Sequence, residues 1–313
     1  MTSSVGTTST DAPEAFVVAL DVGGTSVKSG LVQPDGMKIA DRSRTPIDSR
    51  APAGDVLSAF ARCILGHAQS TPPGTVAGVA LAFPGPFEYD TGICRIAGVQ
   101  KFETIYGLSI GHELSQRTGF APSAFVFVND AEAAIGGEIR YGAARGYLRV
   151  IGATLGTGIG SGFFVNGRRQ TGGPGVPANG GWLFDEPFEG AMADDCFSIR
   201  GVERRLAQAG AASRLPEAAA GDARRGDHRA EAVFEAFGND LGRFLGGYVR
   251  AFGADAVLVA GGLGGAFDLF GSALQGHLTV PVVHGTLGPD APLMGAVNAF
   301  CEKRNADFGC VKA

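Results

Sequence analysis

The sequence predicts an α/β protein whose two similar halves face each other across a cleft. Three observations carry this reading. Short apolar runs of strand character alternate with stretches of helical periodicity. A unit of strand, glycine turn and strand occurs twice, over residues 16–32 and again over 150–165. A third apolar run, 257–260, also ends in glycine, at Gly261-Gly262. The 313 residues are enough for about two domains at roughly 150 residues each.

In chain order, residues 1–15 are small and polar and read as a disordered lead-in. Residues 16–20 form an uninterrupted apolar run ending at Asp21, and 27–32 form the next, with a glycine-bearing turn between them. Apolar residues at helical spacing mark 55–69. A buried strand is expected over 76–83, closed by Pro84-Gly85-Pro86. Residues 108–118 read as a helix stopped by Gly119. The strand 125–128 delivers Asn129-Asp130 to its carboxyl end, and 131–141 continues as a helix. The second half repeats the plan, and an ungapped alignment sets Gly23 on Gly156 and Val32 on Val165. Residues 229–252 carry the clearest amphipathic helix, and 293–304 close the chain as another.

Composition narrows the function. Lys plus Arg number 26 against 31 Asp plus Glu, a net charge of −5, which is a poor footprint for nucleic acid or an anionic membrane. No stretch reads as a membrane span or a signal peptide. Five scattered cysteines without a CxxC fit a reduced, cytoplasmic protein, and the five histidines show no metal spacing, so no zinc is expected. Glycine, at 50 residues, is about double its ordinary share of roughly 7% and suggests close backbone approaches to a ligand.

The glycine turns suggest phosphate. Successive N–H groups in Asp21-Val22-Gly23-Gly24-Thr25 and Gly156-Thr157-Gly158-Ile159-Gly160 can form anion-binding concavities. Asp21, at a strand end beside such a turn, suits a hydrated Mg²⁺. No lysine follows a glycine, which excludes a Walker A loop, and no strict GxGxxG is present. Asp130 could take a proton from a hydroxyl or cap the following helix.

These segments, together with Val128-Asn129-Asp130-Ala131 and Gly137-Glu138, resemble the ROK family of sugar kinases over about 16–304. The resemblance implies two actin-like (ribonuclease H-like) domains, one of residues 16–129 plus 290–313 and one of 130–289. It implies ATP and Mg²⁺, with Asp21, Gly23, Gly24, Thr25, Gly156, Thr157, Gly158 and Gly160 at the phosphates. Gly261 and Gly262 would border the adenosine. Asp130 would be the general base, Asn129 would bind sugar hydroxyls, and Pro84 and Gly85 would line the sugar pocket. A homodimer acting on a hexose, an amino sugar or a cyclitol is the expected assembly and substrate class.

Two departures bear on the acceptor. The family's Gly-Glu-x-Gly-His segment and the cysteine cluster after it are both missing; residues 177–184 stand in the first place, and Cys196 alone stands in the second. That pattern resembles the zinc-less branch, which includes polyphosphate-using glucokinases. Trp182 could stack on a sugar or lie in the core, and Glu189, Glu186 or Asp185 could replace the missing Glu. Arg168-Arg169 and Arg224-Arg225 read as solvated surface, and Glu132 and Glu138 as helix-surface residues near the site. A sugar-responsive regulator and a binding-only relative are the alternatives to an enzyme.

Overall fold

The computed structural model describes residues 15–35 and 38–304. The expected lead-in, apart from residue 15, lies outside them. Two five-stranded mixed sheets carry the fold. The first begins with β1 (Phe16–Val22), β2 (Ser26–Val32) and β3 (Ile39–Pro46), an antiparallel meander. α1 (Ala53–Gln69) then crosses to β4 (Val76–Phe83), which lies parallel to β1. A two-stranded hairpin, β5 (Phe87–Glu88) with β6 (Ile93–Cys94), and α2 (Ile110–Thr118) lead on to β7 (Phe125–Asn129), parallel to β4. α3 (Asp130–Tyr141) follows at once.

The second sheet repeats the order. β8 (Arg149–Leu155), β9 (Ile159–Val165) and β10 (Arg168–Gln170) form its meander. A small hairpin, β11 (Pro187–Phe188) with β12 (Ala191–Met192), precedes α4 (Ala193–Phe197), α5 (Ile199–Ala209), α6 (Pro216–Arg224) and α7 (His228–Phe252). β13 (Ala256–Ala260) returns parallel to β8, and α8 (Phe267–Gly276), β14 (Val282–His284) and α9 (Ala291–Lys303) complete the chain. The strand orders are β3-β2-β1-β4-β7 and β10-β9-β8-β13-β14, so the duplication seen in the sequence is a duplication of topology.

The registers differ by one residue. Val17 pairs with Val32, but Val150 pairs with Phe164 and not with Val165. The second turn is tighter: Gly23 N–H donates to Ser26 O, whereas Gly156 N–H donates to Gly158 O. The ungapped alignment is corrected by that residue.

The central strands of each sheet are buried on both faces, which is why they read as apolar runs rather than alternations. Val18, Leu20 and Val22 pack outward against Phe60 and Ile64 of α1, while Val17 and Ala19 pack inward against Val297 and Phe300 of α9. In the second half Phe234, Phe237 and Leu241 of α7 cover the outer face, and Ile135 and Ile139 of α3 cover the inner one. The helix that follows each sheet's last strand therefore packs on the other sheet, α3 on the second and α9 on the first. These two helices also cross each other closely. A Cβ on Gly295 would collide with Ala133 O, and one on Gly137 with Ala291 O. That crossing ties the sheets together and sets the strand ends that carry the chemistry beside one another.

Candidate active site

β7 ends by placing Asn129 and Asp130 at the start of α3. Asn129, not Asp130, caps the helix: its Oδ1 accepts the N–H groups of Ala131 at 3.0 Å and Glu132 at 3.1 Å. Its Nδ2 donates to Tyr89 Oη at 3.0 Å, and that hydroxyl donates to Phe83 O at 3.1 Å. A Cβ on Gly85 would stand 3.3 Å from Tyr89 Oη, so the Pro84-Gly85 segment borders the same polar cluster.

Asp130 accepts its neighbour's N–H, Ala131, through Oδ1 at 2.9 Å. Burial pushes its carboxyl above the ordinary range, Asp21 adds to that, and Lys101 opposes it. Asp21 lies across the β1–β2 ladder from Lys28 and pairs with its Nζ at 2.9 Å through Oδ2. The other oxygen, Oδ1, has no partner among the described residues.

The glycines of the turns divide into two groups. Cβ atoms on Gly24 and Gly156 would meet nothing closer than 3.7 Å, and one on Gly262 would meet nothing within 4 Å. Space beside these backbones is open to a ligand. The others are fixed by packing. A Cβ on Gly160 would collide with Ala131 and Thr154, and one on Gly261 would lie 2.6 Å from Leu155 O. Gly23 is held near Ser26 O, while Thr25 and Thr157 stand exposed on the two turns.

Beyond Asp130, three residues form an assembly that the sequence did not reveal. Glu132 is mostly buried and pairs with Arg169 Nε at 2.5 Å. The contact lies off the hydrogen-bond axis, which leaves that nitrogen without an aligned acceptor. Burial pushes Glu132 up to about 7, Arg169 pulling it down and Asp130 pushing it further up. The Arg169 guanidinium lies 4.6 Å from the Trp182 ring centroid and donates to Gly180 O at 2.7 Å. Arg169 is thus not a solvated surface residue: its side chain is 20% exposed. Trp182 is partly buried, with one face taken by that arginine.

The expected substitutes for the missing Glu lie elsewhere. Glu189 pairs with Arg243 of α7 at 2.8 Å, and Glu186 accepts from Tyr248 Oη of the same helix at 2.7 Å. Asp185 accepts from Asn179. The structure therefore brings Glu132, and not Glu189, next to Asp130. Glu138 is no surface residue either. It is 1% exposed and accepts the N–H groups of Ala143 and Leu287. Among the described residues, no three His, Cys, Asp or Glu side chains gather as a metal-binding group, and Cys196 is a buried free thiol. Nor is any helix among them long and apolar enough to cross a membrane.

The ROK family model matches residues 17–299. The chain belongs to the ROK family. It is 28% identical to a glucokinase of Thermotoga maritima over 93% of this chain and 99% of that protein. It is 32% identical to a β-glucoside kinase of Listeria innocua over about half of each, 54% and 53%. A ROK family glucokinase from Streptomyces griseus, solved in complex with glucose and AMPPNP, superposes with a TM-score of 0.72 at 22% identity, over 91% of this chain and 98% of that one. The shared fold is the actin-like ATPase fold, as the resemblance implied.

Proposed function

We propose that this chain, a sugar kinase of the ROK family, transfers the γ-phosphoryl group of ATP to a hydroxyl of a hexose or hexose-like acceptor, with Asp130 as general base. The observation that carries the reading is the partly buried Asp130 carboxylate, set at the strand end beside the phosphate turn of β1, with Asn129 serving as the helix cap. In the proposed step the acceptor oxygen bonds to the γ-phosphorus and its proton passes to Asp130. The bond to the β,γ-bridging oxygen breaks, and that oxygen leaves with the electron pair on ADP. A base held in place contributes roughly 10²–10⁴-fold, and the remainder is positioning and charge stabilisation.

The N–H groups of Gly23 and Gly156 bond within their own turns, so Gly24, Thr25, Thr157 and Gly158 would supply the N–H groups for the phosphates, and Gly261-Gly262 stands at the adenosine side. The open space beside Gly24, Gly156 and Gly262 supports this. The uncommitted Oδ1 of Asp21 fits a hydrated Mg²⁺, which when bound would offset phosphate charge. Asn129, Glu132 and Arg169 face the acceptor, and the domain division falls at residues 129/130 and 289/290, so that both domains border the site. The relatives' names span glucose and β-glucosides, which supports a sugar acceptor without selecting one.

The experiment is a coupled ADP-release assay across hexoses, amino sugars and cyclitols, with Asp130→Asn beside the wild type. Acceptor-dependent turnover in the wild type, lost at least about 10²-fold in the isosteric variant, is the expected result. Turnover of the variant within about threefold of wild type would remove Asp130 from the mechanism.

A further inference from the structure

Asp130 has two acidic neighbours, Asp21 and Glu132, and each is paired with a cation of its own, Asp21 with Lys28 and Glu132 with Arg169. The cation that acts on Asp130 itself is Lys101. It makes no ion pair or hydrogen bond among the described residues, yet its charge acts on the Asp130 carboxyl. Its Cδ lies 3.8 Å from where a Cβ on Gly24 would be, so its side chain passes over the open part of the first glycine turn. An ammonium in that place spans the gap between the phosphate turn and the base.

The backbone holding Lys101 is unusually constrained. Its two neighbours, Gln100 and Phe102, have φ of +56° and +57°, left-handed conformations that side-chain-bearing residues rarely adopt. Strain of this kind persists only where the surroundings over-determine it. Here Phe102 N–H donates to Ser49 O at 2.8 Å, and its ring is buried against Phe60 and Phe83. Gln100 N–H donates to Glu103 Oε1 at 2.8 Å, and Gln100 O accepts from Arg50 Nε at 3.1 Å. The loop is anchored on both sides of a lysine whose own head group is uncommitted. That is the arrangement of a charge placed in advance for a ligand.

We infer that Lys101 is a catalytic residue whose ammonium contacts the γ-phosphoryl group during transfer, supplying from a distant loop the cation that a Walker A motif would carry within its own turn. The inference rests on the kinase reading above. As the phosphoryl passes from the bridging oxygen to the acceptor oxygen, its equatorial oxygens keep their negative charge, and Lys101 lies on the path between the two ends. The step balances as before: Asp130 takes the acceptor proton, and Lys101 takes no part in the proton transfer.

The test compares Lys101→Met and Lys101→Arg with wild type in two measurements. In steady-state assays the Met variant is expected to lose about 10²–10³-fold in kcat, with the acceptor KM within about threefold, and Arg to restore part of the rate. In calorimetry the wild type is expected to bind AMPPNP more tightly than ADP, and the Met variant to lose that preference while binding ADP as before. An unchanged preference for AMPPNP, an equal loss of both nucleotides, or no nucleotide binding by the wild type would each overturn the inference. A raised acceptor KM with unchanged kcat would also overturn it and make Lys101 an acceptor ligand. Normal nucleotide binding without turnover of any acceptor would count against the kinase reading alone, because the calorimetric comparison still decides for or against Lys101.

Discussion

Gly158 faces Asp194 so closely that a Cβ on the glycine would stand 2.7 Å from Asp194 Oδ1. The same oxygen accepts the Ile159 N–H at 2.9 Å, and Oδ2 accepts from Arg200 at 2.7 Å. A carboxylate from α4 therefore holds the second glycine turn in shape. Gly158 is required by that clamp, whereas Gly156 has room for a side chain.

The two glycines should separate in experiment. Gly156→Ala is expected to lower affinity for an ATP analogue at least about tenfold, with little change in thermal midpoint, since its methyl enters only the ligand's space. Gly158→Ala is expected to lower the thermal midpoint as well, because Asp194 must give way. Calorimetry with AMPPNP and a melting curve on both variants make the comparison. Equal melting temperatures for the two would discard the clamp.

Glu132 gives a pH dependence of known sign. Burial raises its folded value from 4.5 to about 7, so between those limits the native state holds a proton that the unfolded chain has released. Stability therefore falls as pH rises through that window. Glu132→Gln removes the titration, and the wild-type midpoint minus that of the variant is expected to decline from pH 5 to pH 8. A difference that stays flat across that range would mean that Glu132 titrates at its ordinary value.

Glu138 fixes the crossing of α3 with the chain before α9. Its two oxygens accept Ala143 N–H at 2.9 Å and Leu287 N–H at 2.7 Å, and Gly142 and Gly285 lie against them with no room for a Cβ. Glu138→Ala leaves both N–H groups without a partner at a cost of about 1–3 kcal/mol each. A fall of about 2–6 kcal/mol in urea unfolding free energy is expected. A loss under about 0.5 kcal/mol would show that water replaces the carboxylate.

What the sequence made legible was local. The glycine turns follow apolar strands directly, and Asn129-Asp130 sits where a strand runs into a helix, so both were visible as short patterns. β3 was not, because only its first residue is buried and the rest of this edge strand is partly or fully exposed. Arg169 looked like surface because it follows another arginine, and its real partners lie in α3 and at Trp182. Lys101 does not stand out in the sequence, and Glu138 reads there as helix surface, for the same reason. Their surroundings come from residues as distant in sequence as Gly24 and Leu287. Tertiary pairing of polar groups leaves no periodic trace.

The last prediction concerns the acceptor. The six ionisable side chains named at the candidate site, Asp21, Lys28, Lys101, Asp130, Glu132 and Arg169, comprise three acids and three bases. Two of the cations are paired with acids, Lys28 with Asp21 and Arg169 with Glu132, which suits an uncharged polyol better than an acid or an amine. The site's recognition groups differ from the Glu and His that the resemblance associates with sugar binding. Glu132 and Arg169 stand side by side and can accept from one hydroxyl while donating to a neighbour, with Asn129 nearby. A site that hydrogen-bonds a hydroxyl strongly rejects an analogue lacking it, because its buried groups are then unpaired. Changed groups should therefore change the preferred acceptor rather than weaken all acceptors alike. Glucose is expected to turn over at least about tenfold less efficiently in kcat/KM than a neutral epimer or cyclitol in the same panel. Arg169→Met is expected to compress that ranking more than it lowers kcat for the poorest acceptor. Glucose emerging as the best acceptor, with its rank untouched by Arg169→Met, would show that the Glu132–Arg169 pair only supports the fold of the pocket.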